Sequence, residues 1–384
     1  MLRRLSLVVL LAGLVAACQS SIESVLQRTP EDLDRLEAEL TKYKFKPFPV
    51  SIDAEKSLVA GFDLTSQAIC RAGTYYAVEP PDPSERTSDA NYAVSFGWRD
   101  AALEAFRHGD IVMALEYLES GRRSLPDGWL GYRGGVSLSE SAFRALEGEA
   151  ALSRSSFDTG VGLIQRGNHC PFAHDRARCN AWLVEAFALV SLSEGRYREA
   201  EIRIREILSK WSSEEMGSGT GAGGAPVRQH AMTNESLMNY ALALSLVNQN
   251  RVKDAETRLR SILWFAEDPI DLAWLLQGLS TVFLLEERYR DAAWAAGVVA
   301  DYFDRTCAPT DYFLVSRTYE ALARSITALG REAEAREWLA KAHPNLSTSA
   351  ITALGSEIMR TPPKGVAPEI WKTWSSKRPA SLGN

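Results

Sequence analysis

The feature that most constrains the fold of this chain is a set of small residues at fixed distances on either side of a turn. Five segments share it when aligned on the turn residues Gly109, Gly195, Asn250, Glu287 and Gly330. Seven residues before and five residues after each turn stand Ala102 and Ala114, Ala188 and Ala200, Ala243 and Ala255, Ser280 and Ala292, and Ala323 and Ala335. Small side chains let two antiparallel helices cross closely, and glycine or asparagine after a helix suits a left-handed backbone. The pattern therefore predicts helical hairpins.

Two of these turns also carry a family signature. The stretches 195–200 (GRYREA) and 287–292 (ERYRDA) resemble the tetratricopeptide repeat. The resemblance implies an all-α fold of stacked antiparallel helical hairpins, a TPR-like solenoid, over residues 91–343. Successive turns are 86, 55, 37 and 43 residues apart, so the repeat lengths are irregular. A non-repetitive helical domain with chance matches is the alternative.

The long gaps between turns leave room for further elements. The first gap predicts a degenerate unit at 141–165, with Gly148 and Gly160 in the small positions. The second gap contains an insertion at 212–233, which holds the glycine-rich stretch 217–224. A phosphate site would need a strand before these glycines and a helix after them. Since the preceding segment reads as helical, we interpret the stretch as a loop between repeats.

The first eighteen residues predict export and lipidation. Arg3 and Arg4 precede an apolar stretch at 5–17, which is short for a membrane-spanning helix. The stretch ends in Val15-Ala16-Ala17-Cys18, which resembles the lipobox of bacterial lipoproteins. This resemblance implies cleavage after residue 17 and acyl chains on Cys18, and Gln19 implies outer-membrane anchoring facing the periplasm of a Gram-negative cell. An ordinary secretory signal with a chance cysteine is the alternative.

The remaining segments flank the repeats. Residues 18–28 read as a lipidated tether, and 29–90 as a helical and extended segment with a proline-rich linker. Thr29-Pro30-Glu31-Asp32 predicts a helix start, with a capping hydroxyl and proline in the first turn. Residues 344–384 hold four prolines after position 360 and two tryptophans. We expect this part to cap the last hairpin; presenting a peptide to a partner is the alternative.

Four cysteines follow the anchor: Cys70, Cys170, Cys179 and Cys307. In an oxidising compartment an even number is compatible with disulfides. Cys170 and Cys179 bracket a short loop and are the best candidate pair. A metal site would recruit His169 and His174 beside them, but the spacing matches no usual zinc pattern, so we predict no metal.

The sequence carries no recognisable catalytic or cofactor motif. A net charge of -6 and the lack of a basic run argue against nucleic acid binding. The five histidines form no His-Glu-x-x-His pair, and no Gly-x-Ser-x-Gly motif occurs. A nucleophilic site at Cys307, or one in the loop 169–179, is the weakest hypothesis. We therefore predict a protein that is not an enzyme and needs no cofactor.

These observations favour a membrane-tethered adaptor that binds envelope proteins through its hairpin surface. The positions expected to be exposed on the first helix of each hairpin are Arg99, Glu185, Asn239, Gln277 and Arg317. Trp129 lies in a predicted loop and is a further candidate contact, although packing over the repeats is equally compatible. We expect Trp98, Trp182, Trp274, Trp294 and Trp338 to pack within hairpins. The alternative function is a lipoprotein that binds peptidoglycan or another polysaccharide.

Overall fold

A computed structural model describes Leu26 and residues 28–40, 88–167, 176–216, 232–266 and 268–375. These residues form helices and no strand. Their fifteen helices are α1 (Pro30–Leu40), α2 (Ser88–Arg107), α3 (Ile111–Ser124), α4 (Leu130–Glu147), α5 (Ala150–Gly167), α6 (Arg176–Ser193), α7 (Tyr197–Met216), α8 (Glu235–Asn248), α9 (Val252–Leu263), α10 (Pro269–Leu285), α11 (Tyr289–Arg305), α12 (Phe313–Ala328), α13 (Glu332–Ala342), α14 (Thr348–Glu357) and α15 (Pro368–Ser375). Neighbouring helices pack in pairs, which confirms the predicted all-α fold of stacked helical hairpins.

Each predicted turn has the expected backbone conformation. The φ angles of the five turn residues are positive, from 60° at Glu287 to 90° at Gly109. A positive φ lets the chain leave one helix and start the next within two or three residues. Gly148, between α4 and α5, makes a sixth such turn with φ 99°.

The small residues lie where the two helices of a hairpin face each other. All ten of them are at most 2% exposed. The Ser280 hydroxyl donates to the carbonyl of Ala292 at 3.2 Å, which places the position seven before the turn against the position five after it. A larger side chain at either position would push the two helices apart.

The degenerate hairpin uses a different register from the predicted one. Gly148 is its turn residue, so the prediction that Gly148 occupies a small packing position is wrong. The equivalent small residues are Ser141 and Ser153, whose hydroxyls donate reciprocally to each other's carbonyls at 2.8 and 2.9 Å. Further from the turn, a Cβ on Gly160 would lie 2.9 Å from the carbonyl oxygen of Gly134. Serines and glycines thus take the place of the alanines.

The chain divides into two compact units. The first unit comprises 1–44, 79–103 and 112–234, and α1 packs on α7 within it. The helix start predicted at Thr29 is confirmed, since the Thr29 hydroxyl accepts from the Asp32 amide and the Asp32 carboxylate accepts from the Thr29 amide. This reciprocal capping box satisfies the free amides at the start of the helix. Arg28 then pairs with Glu206 of α7 at 2.8 Å.

The second unit comprises 45–78, 104–111 and 235–384. Its helices α8 and α10 are buried along nearly their whole length. The second helices of the hairpins cover one side of them, and two other stretches of the chain, 104–109 and 358–374, contact them or α12. Among the described residues, no helix combines the length and the apolar character that crossing a membrane requires.

Candidate functional site

The most specific polar contacts of the second unit hold the main chain of residues 358–374, here called the 358–374 segment. It follows α14, which packs on α13 of the last hairpin. The segment then returns over the first helices of the hairpins, and α15 at its end contacts α10. Two buried side chains, Asn248 of α8 and Arg324 of α12, make the main contacts.

Asn248 binds the backbone of the segment at two points. Its amide nitrogen donates to the carbonyl of Gly365 at 2.8 Å, and its amide oxygen accepts from the N–H of Ala367 at 2.7 Å. Asn248 is only 6% exposed. A side-chain amide satisfies one carbonyl and one N–H of a passing chain in this way, as a neighbouring strand would.

Arg324 binds a second part of the segment. Its guanidinium donates to the carbonyl of Ile358 and to that of Thr361, the latter at 2.6 Å. It also reaches the Thr361 hydroxyl at 3.1 Å. Glu320, one turn earlier on α12, accepts from the same guanidinium at 2.6 Å. The carboxylate fixes the fork of donors, and the fork binds the carbonyls of Ile358 and Thr361 beyond the end of α14.

Apolar contacts complete the surface that holds the 358–374 segment, here called the groove. Gly365 has φ 84°, and a Cβ at this position would lie 3.1 Å from a methyl carbon of Leu244. Ile358, Val366 and Trp371 of the segment are buried. The Trp371 indole N–H donates to the carbonyl of Arg360 at 3.2 Å. The groove is thus formed by residues of α8, α10 and α12, and it holds a chain that turns at Gly365, beside Leu244, and continues into α15.

The opposite end of α10 is closed by the 104–109 stretch. Arg107 pairs with Asp268, and with Asp271 at 3.1 Å. Its carbonyl accepts from the Trp274 indole at 2.9 Å. These carboxylates raise the pKa of Arg107 against the opposing effect of burial. Trp274 is fully buried and contacts Phe106 and Phe313, so the packing role predicted for Trp274 is confirmed.

The expectation that five polar positions are exposed is wrong. Arg99, Glu185, Asn239, Gln277 and Arg317 are between 0 and 8% exposed. They lie on first helices, whose sides are covered by the partner helix and, in the second unit, by other parts of the chain. Each is engaged inside the protein: for example, Asn239 accepts from Arg258 at 2.6 Å, and Gln277 accepts from Thr318 at 3.3 Å.

In the first unit, Glu185 and Arg99 have structural partners. The Glu185 carboxylate accepts from the Met232 amide at 3.1 Å and from the Thr233 hydroxyl. Burial raises the pKa of Glu185, while these hydrogen bonds and Arg99 lower it, and the net shift is upward. Arg99 lies 5.0 Å from the Trp182 ring. Glu185 therefore anchors the last two residues of the insertion.

The remaining predicted site residues lie beside helix ends or outside the described residues. Trp129 is half-buried, precedes the first turn of α4 and packs on Tyr132 at 5.1 Å. Cys18, Cys170 and the lipobox lie outside the described residues, as does the side chain of Cys179. Cys307 is disulfide-bonded, so its sulfur is not a nucleophilic thiolate.

The groove residues Asn248, Arg324 and Leu244 were not predicted from the sequence. Asn248 stands two residues before a turn, where a polar residue at a helix end is ordinary. Its role depends on residues 117 and 119 positions away in the chain. A local pattern could not have indicated it.

The comparisons with known proteins were negative. No protein-family model, curated protein or solved structure matches this chain. A function is therefore proposed from the groove and the sequence alone.

Proposed function

We propose that this protein is a lipid-anchored adaptor of the bacterial envelope, which binds other envelope proteins through the surface of its helical hairpins. The observation that carries the proposal is the groove of the second unit, in which Asn248 and Arg324 bind the main chain of the 358–374 segment. Stacked helical hairpins commonly use such grooves to bind peptides. A surface that binds main-chain groups is suited to a protein ligand.

The anchor rests on the lipobox ending at Cys18. Two or three acyl chains hold a protein firmly on a membrane, because each buried methylene contributes roughly 0.8 kcal/mol. Metabolic labelling with a fatty acid should mark the wild-type protein and leave Cys18→Ala unlabelled, as an uncleaved precursor. Labelling of Cys18→Ala at the wild-type level would remove the anchor from the proposal.

The disulfide at Cys307 supports an oxidising compartment. Structural disulfides persist in the periplasm and outside the cell, and are rare in the cytosol. This agrees with a signal sequence that directs the mature chain across the inner membrane.

The adaptor function is tested by crosslinking in cells followed by purification and mass spectrometry. The wild type should bring down a defined set of envelope proteins, and Cys18→Ala should lose or scramble that set. As a matched control, Asn345→Ala alters an exposed asparagine outside the groove and should recover the wild-type set. Recovery of the pure protein alone, or of the same set with and without the anchor, would contradict a tethered adaptor.

One observation favours the second candidate, a glycan-binding lipoprotein. Trp264 and Phe265, after α9, are 38% and 64% exposed, and exposed aromatic rings stack on sugar rings. If glycan binding is the function, the purified protein should sediment with cell-wall sacculi, and Trp264→Ala with Phe265→Ala should abolish sedimentation. The adaptor proposal predicts that sedimentation is absent, or that it is unchanged by these substitutions.

A further inference from the structure

The groove is already filled by a part of the same chain. We propose that the face of α8, α10 and α12 is a binding groove for a peptide, that the 358–374 segment occupies it in cis, and that a partner peptide binds only when this segment leaves. The inference rests on the proposed adaptor function and adds to it the site, the kind of ligand and a built-in competitor.

The contacts to the segment are of a type that another peptide could replace. Asn248 and Arg324 bind carbonyls and an N–H of the backbone, which nearly every peptide offers. The two side chains lie on different helices, so they fix the path of the main chain across the groove at two points. Main-chain recognition supplies affinity, and pockets for particular side chains supply specificity.

The segment resembles a bound ligand more than a core element in its pattern of exposure. Ile358, Val366, Ala367 and Trp371 are buried. Between them the segment exposes Arg360, Thr361, Lys364, Gly365, Pro368 and Glu369, and after Trp371 it exposes Lys372 and Thr373. Separate apolar anchors with exposed residues between them are typical of a peptide lying on a surface.

If the segment leaves, neither groove side chain is left buried without a partner. Arg324 keeps its ion pair with Glu320 at 2.6 Å. Asn248, at the end of α8, would be hydrated once uncovered. Opening therefore does not leave the Arg324 charge buried and unpaired, and this removes the largest energetic obstacle to it.

The geometry defines the partner peptide. At the position of Gly365 the backbone has φ 84° and a Cβ would press on Leu244, so glycine is required there. Small apolar residues follow it, as Val366 and Ala367 do, and an aromatic residue lies six positions after the glycine, as Trp371 does. The ligand is a peptide of an envelope protein with this order of residues, which forms a turn at the glycine and a helix around the aromatic residue, as the 358–374 segment does.

The test uses a synthetic peptide of residues 356–377 with a fluorescent label, added to the full-length protein in detergent. A tethered segment competes at an effective concentration near the millimolar range, so the wild type should bind the peptide weakly. Trp371→Ala weakens the cis segment and leaves the groove intact, so it should bind the peptide at least about tenfold more tightly. Gly365→Ala should act in the same direction and removes no large side chain. Adding Asn248→Ala to either variant should abolish the gain, and adding Asn345→Ala should not.

The proposal is overturned if neither tail variant binds the peptide more tightly than the wild type while circular dichroism shows both to be folded. It is also overturned if the gain survives Asn248→Ala. Either result leaves the adaptor proposal standing, because that proposal is tested by crosslinking and the anchor. If crosslinking in cells recovers no envelope partners while the peptide assay is positive, the adaptor proposal is refuted and the peptide-binding groove is retained.

Discussion

Two glycines of α5 should respond in opposite ways to the same substitution. A Cβ on Gly160 would lie 2.9 Å from the carbonyl oxygen of Gly134 and 3.0 Å from a methyl carbon of Leu138. A Cβ on Gly162 would meet only a side-chain nitrogen of Arg166, at 3.8 Å. Replacing glycine by alanine within a helix stabilises it by roughly 0.5–1 kcal/mol. At Gly160 the hairpin must also open to admit the methyl group, and overpacking of this kind costs about 1–3 kcal/mol.

Because both glycines belong to one helix, the gain in helix propensity cancels when the two variants are compared. We expect Gly162→Ala to stabilise the α4–α5 hairpin, and Gly160→Ala to be about 1–3 kcal/mol less stable than Gly162→Ala. Hydrogen exchange of the α4 and α5 amides in increasing urea measures this hairpin separately from the rest of the chain. Equal stabilisation by both substitutions would refute the argument that α4 and α5 approach each other most closely at Gly134 and Gly160.

Three further predictions concern a buried carboxyl group, an ion-pair cluster and a disulfide. Burial raises the pKa of Glu185 in the folded protein, so the unfolded chain releases this proton at a lower pH, and the wild type loses stability as the pH rises from the ordinary glutamate range through the folded pKa. Glu185→Gln should lack this loss and be the more stable protein at pH 7. Urea midpoints of the two proteins that run parallel from pH 4 to 8 would contradict this prediction. Arg107→Met leaves the carboxylates of Asp268 and Asp271 without their shared arginine and should destabilise the second unit by about 1–3 kcal/mol. Amide exchange in α10 measures this loss. Adding Asp271→Asn should recover part of the lost stability, and no recovery would argue against charge as the cause. Cys307 should be bonded to Cys70, because Cys18 is predicted to carry the anchor and Cys170 and Cys179 are predicted to pair with each other. Peptide mapping without reductant should find this link, and a free Cys307 or a different partner would contradict the prediction.

Local spacing in the sequence was enough to predict the hairpins. Each turn residue and its two small residues lie within twelve positions of each other, so one short stretch of sequence contains the whole hairpin pattern. The predicted register of the degenerate unit is wrong because it places Gly148 at a small packing position, whereas Gly148 is the turn residue. Ser141 and Ser153 stand seven residues before and five residues after Gly148, so aligning Gly148 as a sixth turn residue identifies them.

The burial of the first helices depends on contacts that are distant in the chain. Arg107 reaches Asp271 across 164 positions, and Asn248 reaches Ala367 across 119. One local signal was available: α8 and α10 are apolar around their whole circumference. A helix of this kind is buried on all sides, so Asn239 and Gln277 could have been assigned to the interior.

The central claim is that partners dock in the groove of a membrane-tethered protein. The most direct measurement is crosslinking in cells from a photoreactive residue placed at Gln249, beside Asn248, and at Val112 of the first unit, which is 66% exposed. We expect crosslinks to a defined envelope protein from position 249 only, stronger with Trp371→Ala and lost with Asn248→Ala. Equal crosslinking from both positions, or crosslinks that are unchanged by Asn248→Ala, would contradict this claim.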